Sequence, residues 1–310
     1  MFADELEKFQ IIISPEKTRI IRRPKIVLIF GGGPIGIEAD YRYSSFRNAF
    51  LNWTSENRDP LVDCFQLPEY FHEWNDFENY PNLVEFERDA GALSSAILLF
   101  SESYGSLAEL GVFCMDDVLS ERLQVVIRRE HYQQESFVVF GPLRKLIDTY
   151  GTSSVCVVDA ETVEDFYGEA AIVAEILQEK VNDHPKKEGF LSTRIRDQLL
   201  LIADVVDLFG ALTESEVIEI LKFMNVEIDR RTFRKFIGQL KRFKLIEECQ
   251  QYNQKYLIAP KENRQFYLDY TASEGERNFD RSRFKILVFS LLKKDSRRNK
   301  AYVQVHGEYA

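Results

Sequence analysis

Five short apolar runs, separated by longer stretches of helical spacing, most constrain what this chain can fold into. They are Lys25–Phe30 (KIVLIF), Leu61–Leu67 (LVDCFQL), Ala96–Phe100 (AILLF), Leu123–Ile127 (LQVVI) and Val155–Val158 (VCVV). Runs of this length that end at Gly, Pro or polar residues read as strands, and near-continuous apolar character marks strands buried on both faces. Between them, Tyr41–Trp53, Leu83–Leu93, the stretch from Ser106 onward and Leu143–Tyr150 carry helical spacing. Strand and helix alternating through short loops predict an α/β fold, a doubly wound and mainly parallel sheet of about five strands.

The pattern breaks at Asn182–Gly189 (NDHPKKEG), a polar segment with the composition of a linker. Two domains are expected, 1–185 and 190–310. In the second, Arg194–Phe209 is an amphipathic helix, Thr213-Glu214-Ser215-Glu216 is a capping-box pattern opening Thr213–Met224, and Asp229–Phe243 is a third helix rich in Arg and Lys. Leu245–Glu248 and Lys255–Ile258 flank a polar turn as hairpin strands do. Three helices and a hairpin in that order predict a winged helix-turn-helix. The tail Phe284–Lys300 joins an apolar run to a basic cluster.

Charge divides along the same line. Residues 1–190 hold 18 Lys and Arg against 33 Asp and Glu, whereas residues 191–310 hold 22 against 17. An acidic half is a poor nucleic-acid surface, and a basic half can meet phosphates or an acidic protein.

Several classes are excluded. No run approaches the ~18 apolar residues of a membrane span, and the start MFADELEKFQ is too acidic for a signal peptide, so a cytoplasmic protein without membrane contact is expected. Cys64, Cys114, Cys156 and Cys249 are scattered, as are His72, His131, His184 and His306, so neither a metal site nor a disulfide framework is expected.

Two motifs carry chemistry. Gly31, Gly33 and Gly36 satisfy G-x-G-x-x-G after a strand, which fits a dinucleotide turn, a loop approaching a nucleoside, or a purely structural turn. Pro34 removes one donor, and no acidic residue stands clearly where such a turn needs one. The second motif is Ala96–Phe113 (AILLFSESYGSLAELGVF): strand, loop and helix, with Glu109 one turn into the helix. Ser106-Leu107-Ala108-Glu109 is itself an S-x-x-E capping box, so Glu109 reads either as a cap or as a carboxylate kept ionised at the sheet's carboxyl edge, as a glycosyl-transferring nucleophile requires.

Gly31-Gly32-Gly33 after the first strand, Phe86-Glu87-Arg88-Asp89 on the helix ahead of a buried strand, and Ser103-Tyr104-Gly105-Ser106-Leu107-Ala108-Glu109-Leu110-Gly111 resemble the nucleoside 2-deoxyribosyltransferase family over roughly residues 24–160. Joined to a winged-helix half, with Phe100-Ser101-Glu102-Ser103, Ser136-Phe137 and Gly141-Pro142 in place, the chain also resembles the effectors of retron anti-phage systems. The resemblance implies a toxic N-glycosidase that cleaves the base–sugar bond of a nucleotide, with NAD+ favoured as substrate and no cofactor. It implies restraint by a reverse transcriptase and its branched RNA–DNA product (msDNA).

On this resemblance Glu109 is the catalytic carboxylate and Asp89 orients the sugar, with Glu87 as its substitute. Gly31, Gly32, Gly33, Ser103, Gly105 and Ser106 line the ligand. Paired carboxylates suit a bond that breaks with positive charge building on the sugar. Glu69–Tyr80 (EYFHEWNDFENY) has no counterpart in the family and is expected to form a lid or an assembly contact, and a higher-order assembly is expected.

Arg230, Arg231, Arg234, Lys235, Lys241 and Arg242 give the third helix of the second half a positive face for phosphates or for a protein partner, or simply for solvent. Two alternatives to the effector stand: a ligand-sensing DNA-binding regulator and a metabolic deoxyribosyltransferase.

Overall fold

The computed structural model describes residues 2–32, 44–68, 80–262, 265–276 and 278–307. Gly33 to Gly36 of the glycine motif and residues 69–79 of the aromatic acidic segment lie outside them. The chain divides into two compact units, Pro24–His184 and a second made of Met1–Arg23 with Pro185–Ala310. The division falls inside the polar segment Asn182–Gly189. The first 23 residues differ from expectation: α1 (Phe2–Ile12) and β1 (Arg19–Ile20) belong with the later residues, because β1 is the middle strand of a small antiparallel sheet completed near residues 188 and 268.

The unit Pro24–His184 is built from β2 (Val27–Phe30), α2 (Phe46–Glu56), β3 (Phe65–Gln66), α3 (Leu83–Leu93), β4 (Ala96–Phe100), α4 (Tyr104–Phe113), α5 (Asp117–Arg122), β5 (Leu123–Arg128), α6 (Arg129–Tyr132), α7 (Arg144–Tyr150), β6 (Val155–Val158), α8 (Val163–Phe166) and α9 (Ala170–Asn182). Its five strands pair in parallel in the order β3-β2-β4-β5-β6. Every residue of β2 and β4 is buried, as expected of a parallel sheet covered on both faces. One face packs α2 and α9 through Phe50, Phe100, Val173 and Leu177, and the Phe46 and Phe166 rings stack at 4.9 Å. On the other, Phe113 of α4 meets Phe30 of β2 edge-on at 5.0 Å.

The second expected strand is shorter than its apolar run. Asp59 Oδ1 accepts the Leu61 N–H at 2.8 Å and Val62–Cys64 winds into a 3-10 turn, leaving two extended residues. Ahead of α7, Val139–Leu143 forms a π-helical turn containing Pro142.

The second unit continues with β7 (Glu188–Gly189), α10 (Ile195–Phe209), α11 (Glu214–Phe223), α12 (Arg230–Arg242), β8 (Glu247–Gln251), β9 (Gln254–Ile258), β10 (Leu268–Asp269), α13 (Arg281–Leu292) and α14 (Ser296–His306). The buried helix α10 forms its centre, and Phe9 of α1 packs against Phe209, Phe223 and Phe284. Thr213 and Glu216 form the expected capping box on α11. Leu212 and Leu257 exchange backbone hydrogen bonds at 3.0 and 2.7 Å, fastening the start of α11 to the hairpin β8–β9. The basic tail forms two helices, broken at Lys293–Asp295, where the Asp295 carboxylate caps α14. Arg298 of its basic cluster is buried, bonded to Glu216 at 2.5 and 2.9 Å and to the Ala211 carbonyl at 2.8 Å.

Candidate functional site

Counting only its own strands, the parallel sheet runs 2-1-3-4-5, so the chain winds away from β2 in one direction and from β4 in the other. Folds of this kind bind ligands in the crevice above the carboxyl ends of those two strands. Gly31 and Gly32 close β2 there, with φ of +114° and +71°. A Cβ on Gly31 would stand 2.6 Å from the Phe100 carbonyl oxygen, and one on Gly32 would stand 2.8 Å from Ser45 Oγ. Positive φ and close approach of the protein's own atoms, the Phe100 backbone at Gly31 and the Ser45 and Arg47 side chains at Gly32, thus account for both glycines.

The loop after β4 corrects the capping expectation. Helix α4 starts at Tyr104, three residues before the S-x-x-E reading allows. Ser103, extended at φ −138°, is its N-cap and Ser106 its reciprocal partner. Ser106 is buried and its hydroxyl is engaged with the backbone N–H of Glu102 and Ser103 at 3.2 and 3.0 Å. Glu109 therefore sits in the second turn and is not the cap. It shares a side of α4 with Phe113, one turn on, and Phe113 packs on Phe30, so this flank of the helix lies toward the end of β2.

Asp89 and Glu87 are both half-buried on α3, which precedes β4. Spaced by two, they project to different sides of the helix. The Tyr80 hydroxyl donates to Asp89 Oδ2 at 2.7 Å and fixes that carboxylate. Gly105, second residue of α4, is exposed, with no atom nearer its Cβ position than Ser103 Oγ at 3.7 Å.

A cleft of about 630 Å³ opens on the β5 side of β4, lined among others by Glu102, Ser103, Tyr104, Leu107, His131 and Gln134. Leu107 faces it, and Glu109, two residues further, projects roughly 200° away around the helix. Among the described residues, Ser103 is the one predicted ligand residue on its wall. Glu102, His131 and Gln134 were not among the predicted site residues, although they follow the apolar ends of β4 and β5, where such sheets gather their chemistry. Glu102 is exposed as a residue, yet its carboxylate accepts the Phe46 and Arg47 N–H groups at 2.8 and 3.2 Å, the first two of α2. Desolvation pushes its pKa up, against those two bonds and the charges of Arg47 and Arg128. Arg128 Nη2 donates to His131 Nε2 at 2.7 Å, since a guanidinium has only donors. Among the described residues no group of three or more His, Cys, Asp or Glu is arranged to hold a metal ion, and no helix is long and apolar enough to cross a membrane.

In the second unit α12 separates two faces. Phe233, Phe236, Ile237 and Leu240 are buried; Arg230, Arg231, Arg234 and Lys241 are exposed, and Lys235 and Arg242 are half-buried. The Lys241 ammonium meets Glu248 of β8 at 2.7 Å, so part of its charge is answered within the fold.

Residues 43–248 match the family described as STM3845 retron effector protein. Over 153 residues the chain is 28% identical to the Escherichia coli protein named "Retron Ec73 putative ribosyltransferase/DNA-binding protein", an alignment covering 45% of this chain and 48% of that one. Over 131 residues it is 26% identical to the Escherichia coli "Retron Ec86 putative ribosyltransferase/DNA-binding protein", covering 42% and 40%. The chain thus spans under half the length of these curated relatives.

Proposed function

The chain belongs to the STM3845 retron effector family, and from that premise we propose that it is a nucleotide N-glycosidase with Glu109 as its catalytic carboxylate. NAD+ is the favoured substrate, and no cofactor takes part. The observation that carries this reading is the position of Glu109: relieved of capping by Ser103 and Ser106, on the flank of α4 that lies toward the end of β2. The names of the two relatives, which include ribosyltransferase, support glycosyl chemistry.

In the proposed reaction the bond between C1′ and the base nitrogen breaks, and its electron pair leaves with the base. From NAD+ the nicotinamide departs neutral, so no proton need be supplied to it. Positive charge collects on the sugar, where the Glu109 carboxylate bonds or stabilises it until water adds and releases a proton. Asp89, held by Tyr80, orients the sugar hydroxyls; Gly31, Gly32 and the loop at Ser103 bound the crevice.

The unit carrying α12 is proposed to be a winged helix that holds the effector to the branched RNA–DNA product of a reverse transcriptase, which keeps it inactive within a larger assembly. The exposed Arg230, Arg231 and Arg234, and the words DNA-binding in the relatives' names, support that part. The test is release of base from NAD+ and from deoxynucleotides by the purified protein and by its complex. Wild type should release nicotinamide on triggering and Glu109→Gln should not; equal release by both ends the assignment.

A further inference from the structure

The tip of the hairpin β8–β9 carries a residue that its turn does not want. Gln251 pairs with Gln254, so the loop is two residues long, Tyr252-Asn253. Such loops demand positive φ and are ordinarily filled by Gly, Asn or Asp. Here Tyr252 takes φ +54°. A bulky side chain in the left-handed region is a conformational outlier, and backbone outliers concentrate where a side chain is needed for something other than the fold.

The tyrosine gains nothing from burial in return, since it is 71% exposed. Two cations of α14 stand over its ring, the Arg297 guanidinium and the Lys300 ammonium, each 5.9 Å from the centroid. Both are exposed, as is Lys255 on β9. The helix is fastened to the hairpin behind them, Gln251 Nε2 donating to Gln304 Oε1 at 2.7 Å, so ring and cations form one presented surface.

We propose that Tyr252, Arg297 and Lys300 form a stacking site for an unpaired nucleobase, with the two cations on its flanking phosphates. The partner class is single-stranded nucleic acid. An aromatic face with cations beside it binds single strands because every base has a π-face to stack. A duplex hides those faces and would need only the charges, as would an acidic protein; neither explains a tyrosine kept in a strained turn. The site extends the reading that this unit meets nucleic acid and does not depend on Glu109.

The experiment measures binding of the full chain to three fluorescent probes: an oligothymidine of about twenty nucleotides, an abasic strand of equal length, and a duplex. Wild type should bind oligothymidine about tenfold more tightly than the abasic strand, the scale of one stacked base. Tyr252→Asn should erase that preference and leave duplex binding unchanged. Its thermal midpoint should rise, because Asn tolerates the left-handed region, so the loss cannot be ascribed to unfolding. Tyr252→Trp should keep the preference, and Arg297→Glu with Lys300→Glu should weaken both single strands. Wild type binding the abasic strand as well as oligothymidine overturns the proposal, as does Tyr252→Asn binding like wild type or poly-glutamate competing as well as oligothymidine. Arg234→Glu on α12 reads the separate duplex contact, so failure of either reading is seen apart from the other.

Discussion

Ser103 and Ser106 cap α4 reciprocally: the Ser106 N–H reaches Ser103 Oγ at 3.1 Å and the Ser103 N–H reaches Ser106 Oγ at 3.0 Å. The helix start is satisfied without Glu109, which separates two substitutions that the sequence alone confounds. Ser103→Ala should cost about 1 kcal/mol of stability as a lost N-cap. Glu109→Gln should change stability by less than about 0.5 kcal/mol, as a non-core change, while base release falls about a thousandfold or more. Thermal unfolding alongside a nicotinamide-release assay checks both. A Glu109→Gln protein that unfolds as readily as Ser103→Ala would return Glu109 to a structural role.

The glycines near the crevice divide in the same way. Gly31→Ala forces a side chain into positive φ with its Cβ 2.6 Å from a backbone oxygen, and that oxygen belongs to a buried strand. It should destabilise the protein by more than about 2 kcal/mol. Gly105→Ala meets nothing closer than 3.7 Å within a helix and should be neutral or stabilising by up to about 1 kcal/mol. Any activity lost in a well-folded Gly105→Ala would mean that a ligand approaches that backbone. Circular dichroism with the same activity assay distinguishes the two.

The sheet was legible because its strands are buried on both faces: α3 and β4 fall at Leu83–Leu93 and Ala96–Phe100, where apolar spacing puts them. The start of α4 was not, because Ser103 with Ser106 and Ser106 with Glu109 are both acceptable caps, and only the extended backbone at Ser103 selects between them. Glu102 was illegible for a different reason: its partners, Phe46 and Arg47, lie more than fifty residues away. The docking of Met1–Arg23 rests in part on β1, β7 and β10, strands of two residues each, too short to show any period.

On α12 the six cations are not equivalent. Arg234 is exposed on the polar face, whereas Lys241 is paired with Glu248 at 2.7 Å. Arg234→Ala should weaken duplex binding at all sequences and reduce the slope of log affinity against log salt by roughly one. Lys241→Ala should reduce that slope by less, since its charge is already partly compensated. Fluorescence anisotropy over a salt series measures both, and equal slopes for wild type and Arg234→Ala would remove α12 from the interface.

Glu188 on β7 gathers three guanidinium groups: Arg23 (Nε at 3.1 Å), Arg194 at 3.0 Å and Arg196 at 3.0 Å. Burial pushes its pKa up, but hydrogen bonds and charge from Arg23 and Arg196 outweigh this and hold it down at about 2. A carboxylate whose folded pKa lies below its unfolded value of 4.5 stabilises the fold fully above pH 4.5, and that stabilisation is lost as the pH falls from 4.5 toward 2. The difference corresponds to about 3 kcal/mol. Glu188→Gln should therefore destabilise the unit at neutral pH by about that amount or somewhat more, because three arginines are left facing a neutral amide. It should also flatten the acid dependence between pH 4.5 and 2. Hydrogen exchange of the α10 amides in urea, corrected for the intrinsic rate at each pH, reports both. Parallel acid profiles for wild type and Glu188→Gln would show that the arginines draw their compensation from Asp197, which lies 3.8 Å from Arg194 and 2.7 Å from Arg196, rather than from Glu188.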